Sequence, residues 1–398
     1  MSQDSGRVAE RVSRRKFILT TGAAGAAGLA GCSGDGGGDG GNGTTNGSPQ
    51  TTDVGGQQTT PSTTPSKDYS PLKAGGSSTV YPIMRDASGY WGSDFPASDA
   101  EYWIGTGDKR NDMTLARDGS QITTDKSLAE YWAAFYEYTT EETSGSSGTP
   151  PFLFTANVSH SGTGCENLYQ GILDIGDSSA PVSAEKPDWP QSRRDKFTDH
   201  VVGVDGQPIV VSQEIKDAGL TEITGDELKG LYKGEYSNWS ELGGPDKPIQ
   251  VLGRAVDSGT RTSFVSNVYG NPNEQTQVAN RFGKNQQLAR AIGDADNAIS
   301  YLALAFVGEP GVAAIDLVWN GTTYSYGENL GAKEYPLSRD LHAYTWDGTS
   351  EKEAVILNMV LEDFGQSTFV EPHNYFKLPD DRQQAQLEKL PDPATIPE

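Results

Sequence analysis

The chain has 398 residues, enough for two globular lobes plus tails, and carries 31 Lys and Arg against 54 Asp and Glu, a net charge of −23. So acidic a balance excludes nucleic-acid binding, which needs clustered cations, and attachment through anionic lipid headgroups. Two cysteines, Cys32 and Cys165, exclude a disulfide framework, and His160, His200, His342 and His373 show no paired spacing that would mark a zinc site.

Surplus acid, abundant glycine and few lysines together point to a protein that works in very salty water, where charge is almost fully screened. An ordinary acidic secreted protein is the other reading of the same composition.

The N-terminal 32 residues read as an export signal. Ser13-Arg14-Arg15-Lys16-Phe17-Ile18 opens it with a twin arginine, and Phe17 to Ala30 is mildly apolar but too short to span a bilayer. Leu29-Ala30-Gly31-Cys32 follows in the order of a lipobox, which makes Cys32 the expected lipidation site and the first residue of a mature, surface-anchored protein. Residues 33–68 are Gly, Ser, Thr, Asp, Gln and Pro with almost no large apolar side chain, so they are expected to be a disordered tether.

From about Tyr69 to Pro379, strand-length apolar runs alternate with helical patterns, which argues an α/β body with mainly parallel pairing. Ser127 to Glu142 reads as a helix with Leu128, Tyr131, Trp132 and Phe135 on one face. Ile209-Val210-Val211 and Ile249 to Leu252 read as strands. Thr224-Gly225-Asp226-Glu227 is a capping box, opening a helix that stops at Gly234. Residues 381–398 are polar and acidic and are expected to fray.

Three stretches have the chemistry of anion sites. Gly75-Gly76-Ser77-Ser78-Thr79-Val80-Tyr81-Pro82 reads as strand end, tight turn and helix start, with proline in the first helical turn. Ser159-His160-Ser161-Gly162-Thr163-Gly164 precedes Asp174-Ile175-Gly176-Asp177-Ser178-Ser179, and its small residues allow close backbone approach. Arg254-Ala255-Val256-Asp257-Ser258-Gly259-Thr260 sets a forked cation before hydroxyls and N–H groups at a helix N-terminus. Each alone is an ordinary cap or turn; together they provide donors from several directions, as a tetrahedral anion requires.

These stretches, in this order, resemble the PstS family, the substrate-binding proteins of phosphate ABC transporters. Ala298 to Val307, Tyr335-Pro336-Leu337-Ser338-Arg339 and Tyr375-Phe376-Lys377-Leu378-Pro379 extend the resemblance over nearly the whole body. It implies a two-lobed, periplasmic-binding-protein-like α/β fold, with hinge-linked lobes closing on a ligand cleft. The implied divisions are lobe I at 69–200 and 335–380, and lobe II at 201–334.

Carried over, the resemblance implies a phosphate site of Thr79, Val80, Ser161, Ser179, Arg254, Ser258, Gly259 and Thr260. The implied protein is a monomeric, non-enzymatic carrier with no cofactor or metal. It captures inorganic phosphate at the cell surface, after Tat export, and delivers it to the membrane subunits of an ABC permease. Ser179 stands where some members have an aspartate, and Ser300 where a glycine is expected. A serine can donate or accept, so sulfate, molybdate or tungstate stay open as ligands. A stalked surface protein without transport function also stays open. Tyr90 to Tyr136 exceeds the family core and reads as an inserted excursion on the first lobe, a candidate surface for the permease. A serine hydrolase is disfavoured, because Ser159 and Thr163 stand where a nucleophile elbow around Ser161 needs glycines.

Overall fold

The computed structural model describes residues 67–95, 126–139 and 149–394, plus the backbone of two short strands, 112–114 and 121–123. The export signal, Cys32 and the tether up to residue 66 lie outside the described residues.

In chain order, β1 (Leu72–Gly76) leads into α1 (Tyr81–Ser93), and β2 (Asp112–Thr114) pairs with β3 (Gln121–Thr123). Then come α2 (Leu128–Ala134), β4 (Phe154–Val158), α3 (Ser161–Tyr169), β5 (Ile175–Ser178) and the long β6 (Phe197–Gly206). The next run is β7 (Ile209–Ser212), β8 (Glu222–Thr224), α4 (Gly225–Lys233), β9 (Gln250–Arg254), α5 (Gly259–Tyr269), β10 (Asn280–Phe282) and α6 (Asn285–Gly293). It is followed by β11 (Ala298–Tyr301), β12 (Val312–Trp319), β13 (Thr322–Tyr324), β14 (Ser338–Trp346), α7 (Glu351–Leu361) and α8 (Asp380–Leu387).

The strands form two main sheets. The first has the order β4-β1-β5-β14-β6, and the second runs β10-β9-β11-β7-β12-β13, with β8 on β12. Pairing is mixed rather than mainly parallel. β1 is parallel to β4 and β5, but β14 runs antiparallel to both β5 and β6. In the second sheet β9, β10 and β11 are parallel, while β7 is antiparallel to β11 and β12. The antiparallel members include β6 and β14, the strands by which the chain leaves the first sheet and returns to it. Sheet membership changes between Gly206 and Ile209, a few residues beyond the Val201 expected from sequence.

Register brings the loops together. Gly76 pairs with Val158 on one side and Asp177 on the other, so β1, β4 and β5 end level and their following loops emerge side by side. Gly76 has φ of +140°, and a Cβ there would lie 2.2 Å from the Asp177 carbonyl oxygen, so only glycine permits this approach. Phe282 pairs with Arg254, which aligns the ends of β9 and β10 in the same way.

Local chemistry explains the helices. Thr224 Oγ1 accepts from Glu227 N at the start of α4 while Glu227 bonds back to Thr224 N, and Gly234 at φ +76° ends the helix. Leu128, Tyr131, Trp132 and Phe135 are all buried, and Trp132 stacks on Phe135 with centroids 5.7 Å apart. That face packs inward, beside Phe364, so α2 belongs to the core, while residues 96–125 of the expected excursion lie outside the described residues except for the backbone of β2 and β3. The helix is shorter than its sequence pattern, because the chain turns at Glu137 with φ +55°. In the second sheet, Phe264 stacks on Tyr301 at 3.8 Å.

The expected fraying tail is instead docked as far as it is described. Pro379 opens α8, Leu387 and Leu390 are buried, and Gln386 Oε1 accepts from Val201 N at 2.9 Å. Two apolar side chains and the Gln–backbone bond outweigh the acidic composition.

Candidate functional site

Thr79, Val80, Ser161, Ser179, Arg254, Ser258 and Thr260 are each at most 1% exposed, although the sequence spreads them over both sheets. Gly259 is buried with them.

The first sheet supplies hydroxyls from the loops after β1, β4 and β5. Ser77 Oγ donates to Ser179 Oγ at 3.0 Å and accepts from Thr79 N at 3.1 Å. Ser179 N donates to Ser161 Oγ at 3.1 Å, and the two hydroxyls are 3.3 Å apart. Ser161 is the first residue of α3, and Val80 is the N-cap of α1. The Val80 side chain lies in the apolar core, which leaves its backbone as the only polar group it can offer. Ser178, next along β5, turns away and bonds the Ala180 carbonyl.

The second sheet supplies the cation. Arg254 ends β9 and Ser258 caps α5. Arg254 Nη1 donates to Thr260 Oγ1 at 3.0 Å and to Asn285 Oδ1 at 2.6 Å. Its Nη2 donates to the Gly283 carbonyl at 2.7 Å and, across the seam, to Ser78 Oγ at 3.2 Å. Its Nε donates to the Phe282 carbonyl at 3.2 Å. All five acceptors are neutral. Burial pulls the guanidinium down to about 9, which still leaves it charged at neutral pH. A buried cation bonded only to neutral groups favours an anion beside it.

The halves meet at Thr79 and Thr260, whose Oγ1 atoms are 3.1 Å apart. Asn285 Nδ2 donates to Thr79 Oγ1 at 3.0 Å and Gln207 Nε2 to the Thr260 carbonyl at 2.9 Å. Gly259 lies against Ser161 and Ser179: a Cβ there would fall 2.3 Å and 2.7 Å from their hydroxyls.

Sequence reasoning left out Arg339 as a site residue, although its segment was noted. Arg339 Nη2 reaches Thr79 Oγ1 at 3.3 Å and Thr260 Oγ1 at 3.4 Å, and Nη1 donates to the Ser179 carbonyl at 3.2 Å. Unlike Arg254 it has a counterion: Asp205 Oδ2 accepts from Nε at 3.0 Å and Nη2 at 2.6 Å. Asp205 itself is fully buried, and its Oδ1 accepts from Leu304 N. Ser77, Ser78 and Asn285 were missed as well; the hydroxyls sit in the quoted Gly-Gly-Ser-Ser-Thr run, and Asn285 had no motif to mark it.

The remaining singled-out residues fall elsewhere. Cys165 is buried, which pushes its thiol up. Ser300 donates to the Leu252 carbonyl at 2.9 Å, a structural bond within the second sheet. Asp177 is buried with neither carboxylate oxygen hydrogen-bonded, and burial drives it well above the usual carboxylate range. Among the described residues no cluster of three His, Cys, Asp or Glu could hold a metal, and no helix is long and apolar enough to cross a membrane.

Residues 114–364, more than half of the chain, match the PBP superfamily domain. The chain belongs to this superfamily. Within it, the chain is 29% identical over 220 residues to the phosphate-binding protein PstS of Bacillus subtilis (strain 168), covering 55% of this chain and 69% of that one. It is 22% identical over 245 residues to PstS of Staphylococcus aureus (strain USA300), covering 59% and 73%. A structure from Clostridium perfringens, described as a phosphate ABC transporter substrate-binding protein with bound phosphate, superposes with a TM-score of 0.54 at 21% identity. It covers 78% of this chain and all of the other. That likeness establishes the shared two-sheet α/β fold.

Proposed function

We propose that this protein captures inorganic phosphate outside the cytoplasmic membrane and delivers it to the permease of an ABC importer. The observation that carries the reading is Arg254: a buried guanidinium with only neutral acceptors, ringed by hydroxyls from two sheets. The relatives named phosphate-binding protein PstS support phosphate as the ligand.

In this reading Thr79, Ser161, Ser179, Arg254, Ser258 and Thr260 hold the anion, with backbone N–H groups of Val80 and Gly259. Arg339 and Ser78 join them. Residues 69–200 with 335–380 form one lobe and 201–334 the other, and phosphate stabilises the closed form by its higher affinity for it. The protein acts as a monomer and does not catalyse. Ser161 Oγ is bonded to Ser179 at 3.1 and 3.3 Å rather than to the neighbouring His160, whose Nε2 lies 3.8 Å from Asp257 Oδ2, so no base is in place to activate it as a nucleophile. Export runs through the twin-arginine signal, and Cys32 carries the lipid that anchors the tether.

Titration calorimetry on the purified protein, stripped of bound anion, tests the reading. Saturable 1:1 binding of phosphate, lost in Arg254→Ala, is expected. No heat and no thermal shift with phosphate would overturn it.

A further inference from the structure

At the edge of the anion cluster stands a carboxyl that the hydroxyls and arginines do not engage. Glu185 ends a single helical turn, Val182–Glu185, which follows β5 and packs against the start of α5. Its Oε2 lies 3.4 Å from where a Cβ on Gly162 would stand, one residue beyond Ser161. Its Oε1 is enclosed and accepts no hydrogen bond. The carboxyl faces a cavity of about 530 Å³ whose walls come from both halves of the protein. Gly162 and Thr163 of α3 line it on the first-sheet side, and Asp257, Arg261 and Thr262 on the second.

The groups around Glu185 are committed elsewhere. Lys186, next in the chain, pairs with Glu166 of α3 at 3.4 Å. Arg339 on β14 attracts the carboxylate, but its guanidinium is held by Asp205. Arg261 donates to the Glu274 carbonyl at 2.9 Å, and the Thr262 hydroxyl to the Ser258 carbonyl at 3.3 Å. Asp257 repels, with His160 3.8 Å from it on the side away from Glu185's own turn. Cys165 of α3 and Tyr344 of β14 are kept neutral by burial. A carboxylate so placed gives up water without gaining a fixed donor for Oε1. Burial accordingly pushes Glu185 up to about 8, against Thr262, Arg339 and Lys186.

We propose, on the phosphate reading above, that Glu185 takes up a proton as the two halves close on the anion and releases it as they open, so that capture is proton-linked. One wall of its cavity belongs to the second sheet, so that wall shields the carboxyl only while the halves are together. Opening lets water back in, and the group ionises toward its ordinary value of 4.5. The anion strengthens the coupling, since a negative ligand at the start of α3 disfavours a second negative charge beside Gly162. Between 4.5 and about 8, closing binds a proton, so this contribution to affinity falls as pH rises.

Calorimetric titration of phosphate at pH 7, repeated in buffers of different ionisation enthalpy, counts the protons taken up on binding. Proton exchange by phosphate itself is common to the wild type and Glu185→Gln, whose amide stays neutral at every pH, and it cancels in their difference. The wild type should take up about one proton more than the variant, and its relative affinity should fall from pH 6 to pH 8 by up to about tenfold per unit. Equal proton counts would overturn the inference. Where the variant folds poorly, the wild type alone decides: with isotope-labelled glutamate, its infrared difference spectrum should gain a protonated-carboxyl band when phosphate is added at pH 7. Absence of that band with phosphate bound would overturn the inference and leave the functional reading standing. Absence of any phosphate binding would overturn both.

Discussion

Arg254 and Arg339 donate to the same oxygen, Thr260 Oγ1, at 3.0 and 3.4 Å, although one stands on a strand of the second sheet and the other on a strand of the first. Only Arg339 has a carboxylate partner, Asp205. The pair with Asp205 is neutral overall, so the cluster's net positive charge resides on Arg254. Replacing Arg254 by alanine should lower phosphate affinity by roughly a hundredfold or more, the range for truncating one partner of a buried charged contact. Arg254→Lys should recover part of it, since a point charge replaces a fork that reaches Thr260, Asn285, Ser78 and Gly283 at once. Calorimetric affinities of the two variants decide this; equal affinities in alanine, lysine and wild type would place the anion elsewhere.

Arg339 should behave differently. Its removal leaves Asp205 buried without its cation, in a place where burial already raises its pKa against the pull of Arg339. Breaking such a pair costs about 3–5 kcal/mol. Arg339→Met should therefore lower stability in urea by that order, even without ligand, and Asp205→Asn added to it should restore a large part. Arg254→Met, which strands no carboxylate, should lose much less stability while losing the anion. A similar loss in both single variants would mean that Asp205 is not the source of the penalty.

Glu185 gives a pH signature. Its side chain is partly exposed, yet its Oε1 is enclosed without a partner. Burial pushes the group up to about 8, opposed by Thr262, Arg339 and Lys186. The unfolded value is near 4.5. Between those values the folded protein holds a proton that the unfolded chain has released, so this contribution favours folding less as pH rises. Glu185 lines the cavity of about 530 Å³ beside Gly162, Asp257 and Thr262, where the α3 and α5 ends meet. The thermal midpoint of the wild type should fall more steeply from pH 5 to pH 8 than that of Glu185→Gln. Parallel profiles would show that Glu185 titrates normally in the folded protein.

Much of this was legible in the sequence where a local rule has a local consequence. The Thr224 to Glu227 box and Gly234 delimit α4 because both caps are satisfied within a few residues. The Gly-Gly-Ser-Ser-Thr, Ser-Gly-Thr-Gly and Arg-to-Thr260 runs mark loops before helices, and three of those helices do start there. What the sequence hid is set at long range. Arg339 enters the cluster because β14 returns beside β5, a pairing that no motif near residue 339 announces. The mixed strand direction has the same origin. The docking of α8 depends on Val201 N meeting Gln386 Oε1 across 185 positions, which an acidic, polar composition conceals.

Gly259 supplies the sharpest test of closure. It is the first residue of α5, with a helical neighbour on one side and the Ser161 and Ser179 hydroxyls on the other. Its conformation is open to any residue, so alanine should not disturb α5 itself. The added Cβ would fall 2.3 Å from Ser161 Oγ and 2.7 Å from Ser179 Oγ, well inside contact distance. Those hydroxyls belong to the opposite sheet, so relief comes either from turning them away from the anion or from holding the two halves apart. Both routes weaken binding. Gly259→Ala should retain a cooperative thermal transition, lose phosphate affinity by about tenfold or more, consistent with one or two hydrogen bonds, and show a smaller phosphate-induced change in radius of gyration by X-ray scattering. Unaltered affinity would mean that the two sheets do not approach this closely when the anion is bound.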